Sequence, residues 1–160
     1  MAINVGDTIP SATLRHKDEN GIHEITTEEL FGGKTVALFA LPGAFTPTCS
    51  AQHLPGFVNN AAALKAKGVD TITCLSVNDA FVMDAWGQAQ NVGNTVLMLA
   101  DGNCEFTQAV DLVLDASGGG MGQRSLRYSM LVEDGVVKQL NVEAPGQFEK
   151  STAETMLGQM

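Results

Sequence analysis

Seven consecutive residues, Thr35-Val-Ala-Leu-Phe-Ala-Leu41, constrain this chain more than any other segment. The run is almost wholly apolar, so a strand built from it must be covered on both faces, as in a sheet with helices on either side. It stops at Pro42-Gly43, a pair that breaks both helix and strand. Further β-rich runs follow at residues 69–77 and 95–100, alternating with segments of helical spacing. That alternation marks an α/β domain. Residues 127–132 and 136–142 flank Glu133-Asp-Gly135, and Asp-Gly is a favoured hairpin turn. The expected architecture is one domain over residues 1–160, with a central mixed sheet flanked by helices.

Helices fill the gaps. Leu54, Phe57, Val58, Ala61 and Leu64 recur at the spacing of one helix face, which should end near Lys67-Gly68. Asp79 is the expected N-cap of a helix running through Trp86 to about Asn91, and Thr26-Thr-Glu-Glu29 fits a capping box. The stretch Ser117-Gly-Gly-Gly120 is too rich in glycine for either element and is expected to be a mobile loop.

Composition narrows the function. Nine Lys and Arg against 18 Asp and Glu leave a net charge of −9, and the basic residues are scattered, so nucleic-acid binding is not expected. No apolar run approaches the roughly 18 residues of a spanning helix, so no membrane role is expected. The three cysteines, Cys49, Cys74 and Cys104, are odd in number and form no CxxC pair, which argues against a disulfide framework. The first residues show no basic stretch leading into an apolar core, so cytoplasmic residence is expected.

Cys49 stands apart because it follows a buried strand and a Pro-Gly break and opens an amphipathic helix. Helix N-termini favour an anion such as a thiolate. Ionising a thiol fully near neutral pH requires roughly 3.4 kcal/mol of differential stabilisation, while a helix dipole usually supplies about 0.3–1 and at most about 2. A cation or direct hydrogen bonds must supply the rest, and Arg124 and Arg127 stand at the head of an expected strand. Ionisation gains only about 30-fold in reactivity, so a large acceleration needs positioning and stabilisation of the leaving group.

Pro42-Gly-Ala-Phe-Thr46-Pro-Thr-Cys49 fits the Pro-x-x-x-Thr-x-x-Cys signature of peroxiredoxins. Val5-Gly-Asp-Thr-Ile-Pro10, His53-Leu-Pro-Gly-Phe57, Ser76-Val-Asn-Asp-Ala-Phe81 and Arg127-Tyr-Ser-Met130 extend the likeness, so the chain resembles the type II group over roughly residues 3–150. The resemblance implies a thioredoxin-like fold and thiol-dependent reduction of hydrogen peroxide and organic hydroperoxides, with no cofactor. It makes Cys49 the peroxidatic cysteine, with Thr46 and Arg127 holding the peroxide oxygens and Pro42 shielding the oxidised sulfur. Arg124 is expected to be a solvated loop charge. The tail after Gly146 lacks the C-terminal resolving cysteine of animal members. The implied reductant is therefore glutathione with glutaredoxin, or thioredoxin. A redox sensor or binding module using the same cysteine is the alternative.

Cys74, in an expected core strand, reads as packing in preference to a resolving thiol. Cys104 is expected to be a partly exposed, incidental thiol. Cys49 and His53, four residues apart, could suggest half a metal site, but zinc needs three or four ligands. His53 is instead expected to be a hydrogen-bonding residue beside the site. Phe45, Phe81 and Trp86 are most simply core; by the resemblance, Phe45 and Phe81 could instead line a homodimer interface.

Overall fold

The computed structural model describes residues 2–160. Strands β1 (Thr13–Asp18) and β2 (Gly21–Thr26) form a hairpin followed by helix α1 (Thr27–Phe31) and strand β3 (Thr35–Ala40). A π-helical turn (Cys49–His53) then runs into α2 (Leu54–Asn59) and α3 (Ala61–Ala66). Next come β4 (Thr71–Ser76), α4 (Ala80–Ala89), β5 (Leu97–Ala100) and α5 (Glu105–Ala109). The chain ends through β6 (Val113–Asp115), β7 (Gln123–Ser125), β8 (Tyr128–Glu133), β9 (Val136–Val142) and α6 (Ala153–Gln159). Seven strands make one sheet in the order β2-β1-β5-β4-β3-β8-β9. Its centre, β3 with β4 and β4 with β5, is parallel, and its flanks are antiparallel. This is the mixed sheet expected from the sequence.

The β3 run divides its side chains as a period of two requires. Ala37, Phe39 and Leu41 enter one apolar cluster with Phe57, Leu64, Trp86 and Met156; Val36, Leu38 and Ala40 enter the other with Leu75, Leu99, Phe106 and Tyr128. Phe39 stacks on Phe57 with ring centroids 4.1 Å apart. Burying each such side chain is worth about 1.5–3 kcal/mol, which holds the helix carrying Phe57 against the strand end.

Local signals act where expected. Thr26 Oγ1 accepts from Glu29 N at 3.2 Å while Glu29 Oε1 accepts from Thr26 N at 3.1 Å, a capping box at the start of α1. Asp79 Oδ1 accepts from Val82 N at 2.9 Å and starts α4. Asp134 and Gly135 both have positive φ, 47° and 79°, and close the β8–β9 hairpin in two residues. Gly68 (φ +102°) ends α3 with paired bonds from Gly68 N to Lys65 O and from Val69 N to Leu64 O.

Three expectations fail. The helix predicted from residue 54 is interrupted at Asn60, which leaves helical geometry (φ −102°, ψ 8°) while its Nδ2 donates to Gly56 O. The mobile loop expected at Ser117-Gly-Gly-Gly120 is a 3₁₀ turn, Ser117–Gly119, closing the small β6–β7 sheet. Glycine there serves bends rather than looseness, since Gly120 and Gly122 take φ of +76° and +68°. Phe45 and Phe81 are not core: they are 56% and 62% exposed, while Trp86 is fully buried.

Candidate active site

Sheet topology brings the site together. β3 and β8 are antiparallel with Ala40 opposite Tyr128, so the residue before β8, Arg127, meets the segment that leaves β3. That segment is pinned from two directions. Asn78 Oδ1 accepts from Ala44 N at 3.0 Å and from Ser76 Oγ at 2.6 Å, and Trp86 Nε1 donates to Ser50 Oγ at 3.0 Å. Phe45 holds a positive φ of 66°, a strained backbone fixed by these ties.

Thr46 begins the helical turn. Ser50 N donates to its carbonyl at 2.9 Å, and its Oγ1 donates to Gly43 O at 2.6 Å, which leaves the Oγ1 lone pairs as acceptors. From Cys49 to His53 the turn widens to π geometry, with Leu54 N donating to Cys49 O. Pro55 has no N–H to return to Ala51, so the α-helical ladder is already broken there and the wider turn costs less. His53 thereby faces the same way as Cys49.

Cys49 is fully buried, and its Sγ accepts from Arg127 Nη2 at 3.1 Å. The same guanidinium donates through Nη1 to His53 Nδ1 at 2.9 Å and lies over the Phe148 ring at 5.7 Å. Arginine can only donate, so Nδ1 of His53 accepts; Nε2 must carry the hydrogen, which it gives to Ser151 O at 2.9 Å. Glu143 completes the frame: its Oε2 accepts from the backbone N–H groups of Glu149, Lys150 and Ser151 and from Ser151 Oγ. Burial opposes charge on Glu143, but these bonds outweigh it and hold the carboxyl below its usual range.

Burial, aided by the Arg127 charge, drives His53 down from its usual 6.5 to about 3. The fold therefore contains neutral His53, and unfolding takes up a proton between pH about 3 and 6.5. Stability is full above the upper value and falls as pH drops through the window, by at most about 1.4 kcal/mol per pH unit. Denaturant titrations should give a flatter profile in this window for His53→Gln. A profile parallel to the original would assign the pH dependence elsewhere.

A cleft of about 110 Å³ is lined by Pro42, Thr48, Leu114, Leu126, Arg127 and Gly146 among others, and Arg127 links its wall to the buried sulfur. Of the four residues singled out in the sequence, Cys49 and Arg127 are in contact, Pro42 shares the cleft wall with Arg127, and Thr46 starts the turn that carries Cys49. Arg124 is not the solvated loop charge expected: on β7 it donates from Nε to Met121 O at 3.0 Å and from Nη1 to Pro42 O at 3.4 Å. Cys74 is packed in the same cluster as Cys49, and burial, then the proximity of Cys49, pushes its thiol well up. Cys104 is buried rather than partly exposed, and burial, then Asp101, raises its thiol. No cluster of three metal-ligating side chains occurs among the described residues. Ser151 and Glu143 escaped the sequence reading because neither carries a local signal.

Comparison with known proteins places these features in context. The redoxin family pattern matches residues 4–157. Peroxiredoxin-2E-2, chloroplastic, of Oryza sativa subsp. japonica is 52% identical over 97% of this chain and 71% of its own length. Peroxiredoxin-2E, chloroplastic, of Arabidopsis thaliana is 49% identical over 98% and 68%. The crystal structure of reduced Prx3 from Vibrio vulnificus in complex with H2O2 superposes with a TM-score of 0.94 at 56% identity, covering 98% of each chain. The expectation of cytoplasmic residence is overturned by the two plant relatives, both of which are named as chloroplastic.

Proposed function

Because this chain belongs to the redoxin family and is a peroxiredoxin, a thiol-dependent peroxidase, we propose that Cys49 is the sulfur that attacks the peroxide. The observation that carries this is the 3.1 Å hydrogen bond from Arg127 to Cys49 Sγ. Neither Cys74 nor Cys104 receives such a bond from a cation among the described residues. A charge-assisted bond of this kind is stronger than a neutral one and holds the sulfur beside a positive charge.

The sulfur attacks the terminal peroxide oxygen, the O–O bond breaks, and Cys49 becomes a sulfenic acid as the departing oxygen takes a proton to give water or an alcohol. Thr46 Oγ1, its own hydrogen engaged by Gly43 O, accepts from the peroxide O–H. Arg127 stabilises the charge that develops on the departing oxygen. Pro42 covers the sulfur against further oxidation. The cleft suits hydrogen peroxide and small organic hydroperoxides.

The thiol that resolves the sulfenic acid comes from another molecule. Cys74 is fully buried with its thiol held protonated, a poor nucleophile, and Cys104 is buried in a turn of its own. Glutathione with glutaredoxin, or thioredoxin, fits this demand. Stopped-flow oxidation of Cys49, then turnover with each reductant, tests the assignment. Rapid oxidation followed by turnover is expected; rapid oxidation that neither system reverses would favour a redox sensor.

The homodimer has its own support in Phe45 and Phe81, two exposed aromatic side chains, the first on the loop before Cys49. Phe81→Asp should shift sedimentation from dimer to monomer. A protein that sediments identically with and without the substitution would remove Phe81 from the interface.

A further inference from the structure

In a chain of net charge −9, Arg124 differs from the lysines that have no acidic partner among the described residues: Lys34, Lys65, Lys67, Lys138 and Lys150 are exposed, whereas Arg124 is half-buried. Arg15 pairs with Glu24 and Lys17 with Asp84, while Arg127 is committed to Cys49 and His53. Arg124 has no carboxylate at salt-bridge distance among the described residues. Two of the five guanidinium N–H groups are used, on Met121 O and Pro42 O, and the other three have no partner among the described residues. The side chain is half-buried and adjoins two residues of the cleft wall. Leu114, its partner across the β6–β7 ladder, and Pro42, whose carbonyl it holds, both line that cleft. A Cβ on Gly43 would lie 3.0 Å from Arg124 Nη1 and 3.3 Å from Thr46 Cγ2, so the guanidinium and Thr46 flank one point of the backbone.

We propose that Arg124 is a carboxylate-recognition residue beside the active-site cleft, and that it takes a carboxylate of the small thiol that reduces Cys49. Hydrogen peroxide has no anionic group for it to recognise. An anionic thiol such as glutathione, with two carboxylates, is repelled by the protein's net charge and gains most from a local cation. The planar fork of arginine matches a carboxylate with two parallel hydrogen bonds. The inference rests on Cys49 as the peroxide-reactive sulfur resolved from outside. The thiolate of the reductant attacks the sulfur of the Cys49 sulfenic acid; an S–S bond forms, the S–O bond breaks, and the departing hydroxide takes a proton to become water. A second thiol then displaces Cys49, so two thiols are oxidised for each peroxide reduced.

The reduction step tests this in isolation. Cys49 is oxidised with one equivalent of hydrogen peroxide, sulfenic acid is verified by mass spectrometry, and the rates with glutathione and with its diethyl ester are compared. The preference for glutathione should fall about tenfold in Arg124→Gln and about threefold in Arg124→Lys, which keeps the charge but loses the fork. Lys65→Gln, an equal charge change at an exposed position of α3, should move the ratio less than about twofold. A ratio equal in the wild type and Arg124→Gln overturns the proposal. So does a loss confined to oxidation by a carboxylated hydroperoxide relative to its methyl ester, which would give the carboxylate to the peroxide instead. Absence of sulfenic acid on Cys49 overturns both this inference and the reading beneath it.

Discussion

Cys49→Ser leaves a folded protein that consumes peroxide no faster than buffer does. The substitution removes one polarisable atom from a fully buried position and keeps an acceptor for the Arg127 Nη2 hydrogen, so the site is preserved and only the nucleophile is lost. A serine hydroxyl is almost entirely un-ionised at neutral pH and cannot form the sulfenic acid, so the effect is complete rather than graded. Peroxide consumption and intact mass check it together: the wild type gains an oxygen on one cysteine and turns over, and the variant does neither. Cys74→Ala is the counterpart and should retain oxidation at Cys49. Turnover by Cys49→Ser at a rate near that of the wild type would move the chemistry to another residue.

Arg127→Gln is expected to slow oxidation of Cys49 by about 10²–10³-fold, the loss typical of removing one preorganised donor from a developing oxyanion. The guanidinium does two things at once: Nη2 faces the sulfur and Nη1 is anchored on His53. Glutamine can still donate to His53 Nδ1 but supplies no positive charge. The loss should be only partly recovered in Arg127→Lys, because a lysine ammonium is a point charge and cannot reproduce the fork that engages sulfur and imidazole together. Stopped-flow rates, read beside thermal stability, separate this from unfolding. A fall of less than about fivefold in Arg127→Gln would take the arginine out of the bond-breaking step.

Much of this arrangement is legible in the sequence, and the reason is local physics. The seven apolar residues of β3, the Asp-Gly turn and the caps at Thr26 and Asp79 each act within a few residues, so a one-dimensional reading reaches them. Cys49 stands out for the same reason, since strand, Pro-Gly break and helix start are neighbours. What escaped depends on contacts across the chain or on steric detail. Arg124 looks like a loop charge because one of its two acceptors, the Pro42 carbonyl, is 82 residues away. Cys104 looks exposed because it follows Asp101-Gly-Asn103, yet it adopts a left-handed backbone (φ 60°) that turns it inward beside Asp101. The π turn did have a signal, in the missing N–H of Pro55, but it is visible only once a helix is assumed across Cys49.

The hydrogen bonds that assemble the site close very long stretches of chain. Arg127 to Cys49 spans 78 residues and His53 to Ser151 spans 98. Closing such loops has an entropic cost that only the nearly complete sheet can offset, so the site forms late rather than from a local nucleus. A fragment ending with β7 at Ser125 lacks Arg127 altogether. During refolding, recovery of peroxide reduction should therefore lag the return of helical signal, and its rate times the last docking event of the chain.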